Sequence, residues 1–171
     1  MEKSVISERC YEPFDPSDLE RLAMLALDDL EQLFERKPET GEIYRKRLLM
    51  LCLCQGGAEH FVRRRNGVKD LDVWAFFDEG PSRPFPYRRR GKRDFGPSHF
   101  GRHPHDIGFE GRRVDIIGRS IKRGPDQTPQ HAVREWLQGR ATESARLISQ
   151  RPVVAIHPES LRGDIIWDPK E

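Results

Sequence analysis

Leu19, Leu22, Ala23, Ala26, Leu30, Leu33 and Phe34 recur at three- and four-residue intervals, which gathers them on one stripe of a helix. The spacing predicts a helix over about residues 17–37, opened by a capping box of Ser17 and Glu20 and closed by Pro38 and Gly41. The run from Arg47 to Cys54 is apolar without alternation, as in a strand buried on both faces, although so short a run also fits a helix. After Gly56 and Gly57, the segment Ala58 to Arg65 reads as a short helix with Phe61 and Val62 inward. Asn66 and Gly67 then mark a turn. Asp70 to Phe77 begins with alternation and becomes fully apolar, the pattern of a central strand.

The next thirty or so residues, about 80–108, carry glycine, proline, histidine and arginine with no period, and are expected to form a long loop. Arg112 to Gly118 reads as a strand around Val114, Ile116 and Ile117. Thr128 as N-cap and Pro129 behind it start a helix through Gln138, with Gly139 placed to stop it. A short helix over Thr142–Gln150, a strand over Val153–Ile156 and a strand-like piece over Asp164–Trp167 complete the chain. The order α, β, α, β, loop, β, α, α, β predicts an α/β (α+β) fold, a small mixed sheet flanked by helices. With no repeat and no dividing linker, residues 1–171 read as a single domain.

Composition adds a charge asymmetry to this outline. Apolar residues make up only 36% of the 171 and charged residues 34%, with a net charge of +2. Between Glu12 and Glu42 the chain is acidic through Asp15, Asp18, Glu20, Asp28, Asp29, Glu31 and Glu35. Between Arg83 and Arg102 it is basic through Arg83, Arg88, Arg89, Arg90, Lys92, Arg93 and Arg102. Either the basic segment meets an anionic partner, or the two segments attract each other. The longest apolar run, Leu48–Cys54, is far short of the roughly 20 residues that span a bilayer, so no membrane association is expected. Cys10, Cys52 and Cys54 form neither a disulfide framework nor a zinc spacing, and a reducing cytoplasm suits them.

Three carboxylates carry the chemistry. Asp70 and Asp72, two apart in a strand, project from one face, while Leu71 and Val73 point to the core. Two such acids at the end of an apolar strand repel and lose solvation unless a cation lies between them. Mg2+ (or Mn2+), a hard ion with oxygen ligands, suits them. Asp115 lies in a like setting between Val114 and Ile116. If its strand runs beside the first, the three acids converge and can hold metal for an attack at phosphorus. Gly56 and Gly57, between a strand and a helix, let backbone amides approach an anion.

Cys54-Gln55-Gly56-Gly57, then Lys69-Asp70-Leu71-Asp72-Val73, then Val114-Asp115-Ile116 resemble the pattern of the DNA polymerase beta-like nucleotidyltransferase superfamily. The resemblance spans about Leu48 to Gly118. It implies a metal-dependent nucleotidyltransferase, in which Asp70 and Asp72 bind both metals and Asp115 binds the catalytic metal and orients or deprotonates the acceptor hydroxyl. Gly56 and Gly57 would contact the nucleoside triphosphate, with Lys69 as a further phosphate-binding residue. Two departures stand out. Gly57 replaces the family's serine, and the chain has little room for a separate helical domain, so a protein partner, a second subunit or the basic loop would complete the pocket.

Blander readings stand beside these. The aspartates could be solvated strand ends, or Asp115 could pair with Arg112 or Arg113. The Arg83–Arg102 loop, with Tyr87, Phe95 and Phe100 interleaved, could track RNA or another nucleic acid, clamp phosphates or be a solvated insertion. His99, His103 and His105 lack the framing of a zinc site, and His60 reads as a structural histidine. A non-catalytic nucleotide- or RNA-binding module on the same fold is the alternative function, and one half of a toxin–antitoxin or defence pair is a third.

Overall fold

Asp15 and Pro16 open the first helix, α1 (Pro16–Arg36), because the Asp18 carboxylate reaches back to accept the Asp15 amide at 2.7 Å. This computed structural model describes residues 6–85 and 90–170. The cap thus lies two residues earlier than the Ser17–Glu20 pair, since Pro16 already supplies a helical φ at the first position. Pro38 does not only end this helix. It occupies the first turn of α2 (Pro38–Tyr44), where its missing N–H costs nothing.

The buried run forms β1 (Leu48–Cys54), followed directly by α3 (Gln55–Arg63) and β2 (Leu71–Asp78). The expected long loop contains a strand, β3 (Arg90–Asp94), paired antiparallel with β4 (Arg113–Ile121) at the sheet edge. An edge strand is bonded along one side only and is often charged, which is why β3 shows no apolar alternation. Helices α4 (Pro129–Gly139) and α5 (Glu143–Ile148) follow, with Thr128 and Thr142 capping them through their hydroxyls. Arg140 in the left-handed region (φ 47°), rather than Gly139, terminates α4. Strands β5 (Val153–His157) and β6 (Ile165–Trp167) end the chain.

One sheet of order β3-β4-β2-β1-β5-β6 joins these strands, with β2 and β4 parallel and the other pairs antiparallel. About 36% of the described residues are helix and 25% strand, a mixed α+β fold. Leu51, Leu53, Leu71, Val73 and Ile116 face α1. Cys52, Cys54, Trp74, Ile117 and Ala155 face α4 and α5. Both faces being covered explains why β1 is apolar throughout. Cys52 and Cys54 lie fully buried on the same face as free thiols, and burial pushes both thiols up from their ordinary range. No helix among the described residues is long and apolar enough to cross a membrane.

The charge asymmetry is in part internal. Arg93 pairs with Asp28 at 2.9 Å and Asp29 at 3.3 Å, and Arg83 with Glu39 at 2.9 Å. Phe95 and Phe100, read from sequence as candidate base-stacking rings, are instead core residues and fully covered. Tyr87, Arg88 and Arg89 lie outside the described residues. Beneath this segment Gly111 passes so close to Gly96 that a Cβ would overlap the Gly96 carbonyl oxygen. Gly111→Ala is therefore expected to destabilise the fold by about 3 kcal/mol, read as a lowered urea midpoint.

Candidate functional site

The parallel register between β2 and β4 sets Asp72 directly beside Asp115. Paired residues share a face and stand about 4.8 Å apart along the hydrogen-bonding direction. The same row runs on to Cys54 of β1 and Lys92 of β3. Asp72 and Asp115 thus occupy the sheet end at which β1 finishes and β2 and β4 begin. Asp115 is only 2% exposed. Asp70, one residue before β2, stands at the same end and is part exposed. The register thus sets Asp72 and Asp115 side by side, with Asp70 at the same sheet end just before β2, whereas the carboxylate oxygens of the three do not gather within 4.8 Å of one another.

Arg113 lies between two of them. Its Nη2 donates to Asp70 Oδ2 at 3.0 Å and approaches Asp115 Oδ2 at 3.3 Å. Burial works against the guanidinium charge, but Asp115 and Asp70 outweigh it and raise the Arg113 pKa. Arg112 takes no part in this pairing. Fully buried, it donates to the carbonyls of Phe100, Glu8 and Lys69 and ties the N-terminal segment to the sheet. Of the two arginines weighed as partners for Asp115, Arg113 is the one the geometry supplies.

A cleft of 270 Å³ opens over the acids. Asp70, Asp72, Lys69 and Gly56 line it, so four of the six residues singled out from sequence meet there. Gly57 does not line it. A Cβ at Gly57 would press on Leu53 at 3.1 Å and Leu71 at 3.3 Å, so its small size serves close packing of α3 on the sheet. Asp115 lies beneath, paired to Asp72 and held by Arg113. The amides of Gln55, Gly56 and Gly57 belong to the first turn of α3 and have no acceptor within the helix. Gln55 itself is held at φ 60°, a conformation that costs a non-glycine residue energy and tends to gather at functional sites.

Other lining residues carry no local sequence signal. Arg9 and Arg151 bring positive charge, and Arg151 donates to Asn66 Oδ1 at 3.2 Å. Asn66 in turn donates to the Gly56 carbonyl at 3.2 Å. Read from sequence only as a turn residue, Asn66 braces the glycine entrance of α3. Trp74, Ile117 and Leu147 form an apolar wall beside the acids. Trp74 and Ile117 are register partners two residues beyond Asp72 and Asp115, on the same face. Cys54, next to Asp72, is no ligand for a hard ion. Burial, Cys52 and Asp72 all raise its thiol pKa and keep it neutral.

The donor set of Asp70, Asp72 and Asp115 is all carboxylate oxygen, which fits Mg2+ or Mn2+. The Arg113 guanidinium already shows that a cation is accommodated between Asp70 and Asp115. Among the described residues, the group whose ligand atoms lie within 4.8 Å of one another is a different one, Asp15, Asp18 and His99. There the Asp18 carboxylate caps α1, and His99 Nε2 lies 3.0 Å from the Pro13 carbonyl and 3.3 Å from Asp18. That nitrogen donates, so the cluster reads as a helix cap. His60 is likewise structural. Fully buried, it contacts the Glu12 carbonyl at 2.8 Å and accepts from the Gly67 amide at 3.2 Å.

No family model matches this chain, and comparison with curated proteins and with solved structures returns no match.

Proposed function

We propose that the cleft binds a nucleoside triphosphate with Mg2+ or Mn2+ and serves nucleotidyl transfer to an acceptor hydroxyl or phosphate. The observation that carries this reading is the in-register pairing of Asp72 with buried Asp115, beside the first turn of α3. Burying a carboxylate next to another is costly unless positive charge serves them, and a metal would add to the charge that Arg113 already brings to Asp115 and Asp70. Asp70, Asp72 and Asp115 would hold the metal, which when bound neutralises the phosphates and polarises the phosphorus under attack. Lys69, Arg9 and Arg151 supply positive charge for the triphosphate, and the first-turn amides of α3 supply donors. The Trp74, Ile117 and Leu147 wall offers the base or sugar an apolar surface. Asp115, at the floor, orients the acceptor hydroxyl and takes up its proton.

Arg113 supports a second reading, a non-catalytic nucleotide- or RNA-binding module whose acids are neutralised by the guanidinium in place of metal. Under either reading the free buried thiols of Cys52 and Cys54 suit a reducing cytoplasm.

Calorimetry with each of the four triphosphates, with and without Mg2+, tests the proposal. Metal-dependent binding of at least one triphosphate is expected. Absence of binding by folded protein contradicts it. The same titration reads Gly56→Ala. A Cβ there would come within 2.5 Å of Asn66 Nδ2 and push the brace out of place. Affinity should fall about tenfold, since a small misplacement in a positioning site costs that much or more.

A further inference from the structure

Asp70 and Lys69 also belong to a second pocket of 240 Å³, completed by His103, His105, Asp106 and Arg113. His103 is only 7% exposed. Its Nδ1 accepts the His105 amide at 3.1 Å, so in the neutral ring the proton sits on Nε2. Nε2 is buried and has no hydrogen-bond partner among the described residues. A buried N–H without an acceptor is costly, and a bound oxygen would relieve it.

The donor chemistry narrows the ligand. With Nδ1 already accepting, the neutral ring has no lone pair to offer a metal at Nε2. Among the described residues, no three ligand atoms gather within 4.8 Å here either. Against Asp70 and Asp106 stand the Lys69 ammonium, the Arg113 guanidinium and the His105 ring, which lies 5.3 Å from the His103 ring. Such a set of donors suits an oxyanion with several acceptor oxygens.

We propose that this pocket binds a phosphate monoester, with His103 Nε2–H and Lys69 as its principal donors. The shared Asp70 and Lys69 place such a group next to the nucleotide cleft. On the nucleotidyltransferase reading, and only there, it is therefore the anchor of the acceptor. The monoester could belong to a phosphorylated small molecule or to the 5′ end of an RNA.

The test is a titration of the full chain, labelled with 15N-histidine, with inorganic phosphate at constant ionic strength. Long-range 1H–15N spectra read the ring nitrogens. Without ligand, His103 should show the Nε2–H tautomer. With phosphate its Nε2 signal should shift and saturate, and Lys69→Ala should weaken the titration about tenfold. A His103 signal that moves no further with phosphate than with sodium chloride overturns the proposal, and it does so in the wild-type chain, whatever the variants' stability. The titration contains neither metal nor nucleotide, so its outcome is separate from that of the nucleotide reading. Glycerol phosphate and a 5′-phosphorylated trinucleotide RNA then distinguish the two sources, the tighter ligand naming the source. An equal response to the 5′-hydroxyl trinucleotide contradicts a monoester site.

Discussion

Asp72→Asn is expected to weaken metal-dependent triphosphate binding by at least about 100-fold, beyond the 10–100-fold that loss of a residue merely supporting a metal ligand costs. The substitution keeps the shape of the side chain and removes one of the charges in the row Cys54, Asp72, Asp115, Lys92. Asp115→Asn should act similarly on metal and more strongly on any transfer activity, because its carboxylate is the buried one. Calorimetry with and without Mg2+ reads both variants, with circular dichroism to show that they remain folded. Equal binding by wild type and Asp72→Asn would assign the acids a purely structural role.

Arg113→Ala carries the second large effect. It removes the guanidinium that touches Asp70 at 3.0 Å and Asp115 at 3.3 Å. Breaking a fully buried pair costs 3–5 kcal/mol. Arg113 and Asp70 are each about a third open to solvent, which weakens the effect, so the expected loss is about 2 kcal/mol, or about 4–8 °C in melting temperature. Millimolar Mg2+ should then raise the melting temperature of Arg113→Ala more than that of wild type, because the ion no longer competes with the guanidinium. If Arg113 is instead the permanent partner of these acids, Mg2+ leaves the variant's deficit unchanged.

The extent to which each element could be read from sequence follows from how local its determinants are. Strand β1 and the start of α4 depend on a continuous apolar run and on Thr128-Pro129, and both are visible in single segments. The start of α1 is a contest between two nearby acid and hydroxyl pairs, which Asp15, Pro16 and Asp18 win. Strand β3 escapes pattern reading because Lys92 is exposed and Arg93 pairs with acids of α1, so neither marks a buried face. In the site, Asp70, Asp72 and Gly56 carry their spacing with them, and Asp115 needs only a parallel neighbour. Arg151 and Asn66 meet across 85 residues, and Arg9 reaches the Asn66 carbonyl across 57. Nothing near any of these three residues in the chain announces the encounter. Gly57 shows the opposite failure, since a glycine demanded by packing against Leu53 and Leu71 looks the same in sequence as one demanded by a phosphate.

The most direct measurement is the anomalous signal of Mn2+ in crystals of the full chain grown with a non-hydrolysable triphosphate analogue. The account predicts a manganese peak ligated by Asp72 and Asp115, with the phosphates of the analogue over the first turn of α3 and Arg113 displaced from Asp115. Manganese at Asp15, Asp18 and His99 alone, with Arg113 still between Asp70 and Asp115, would contradict it.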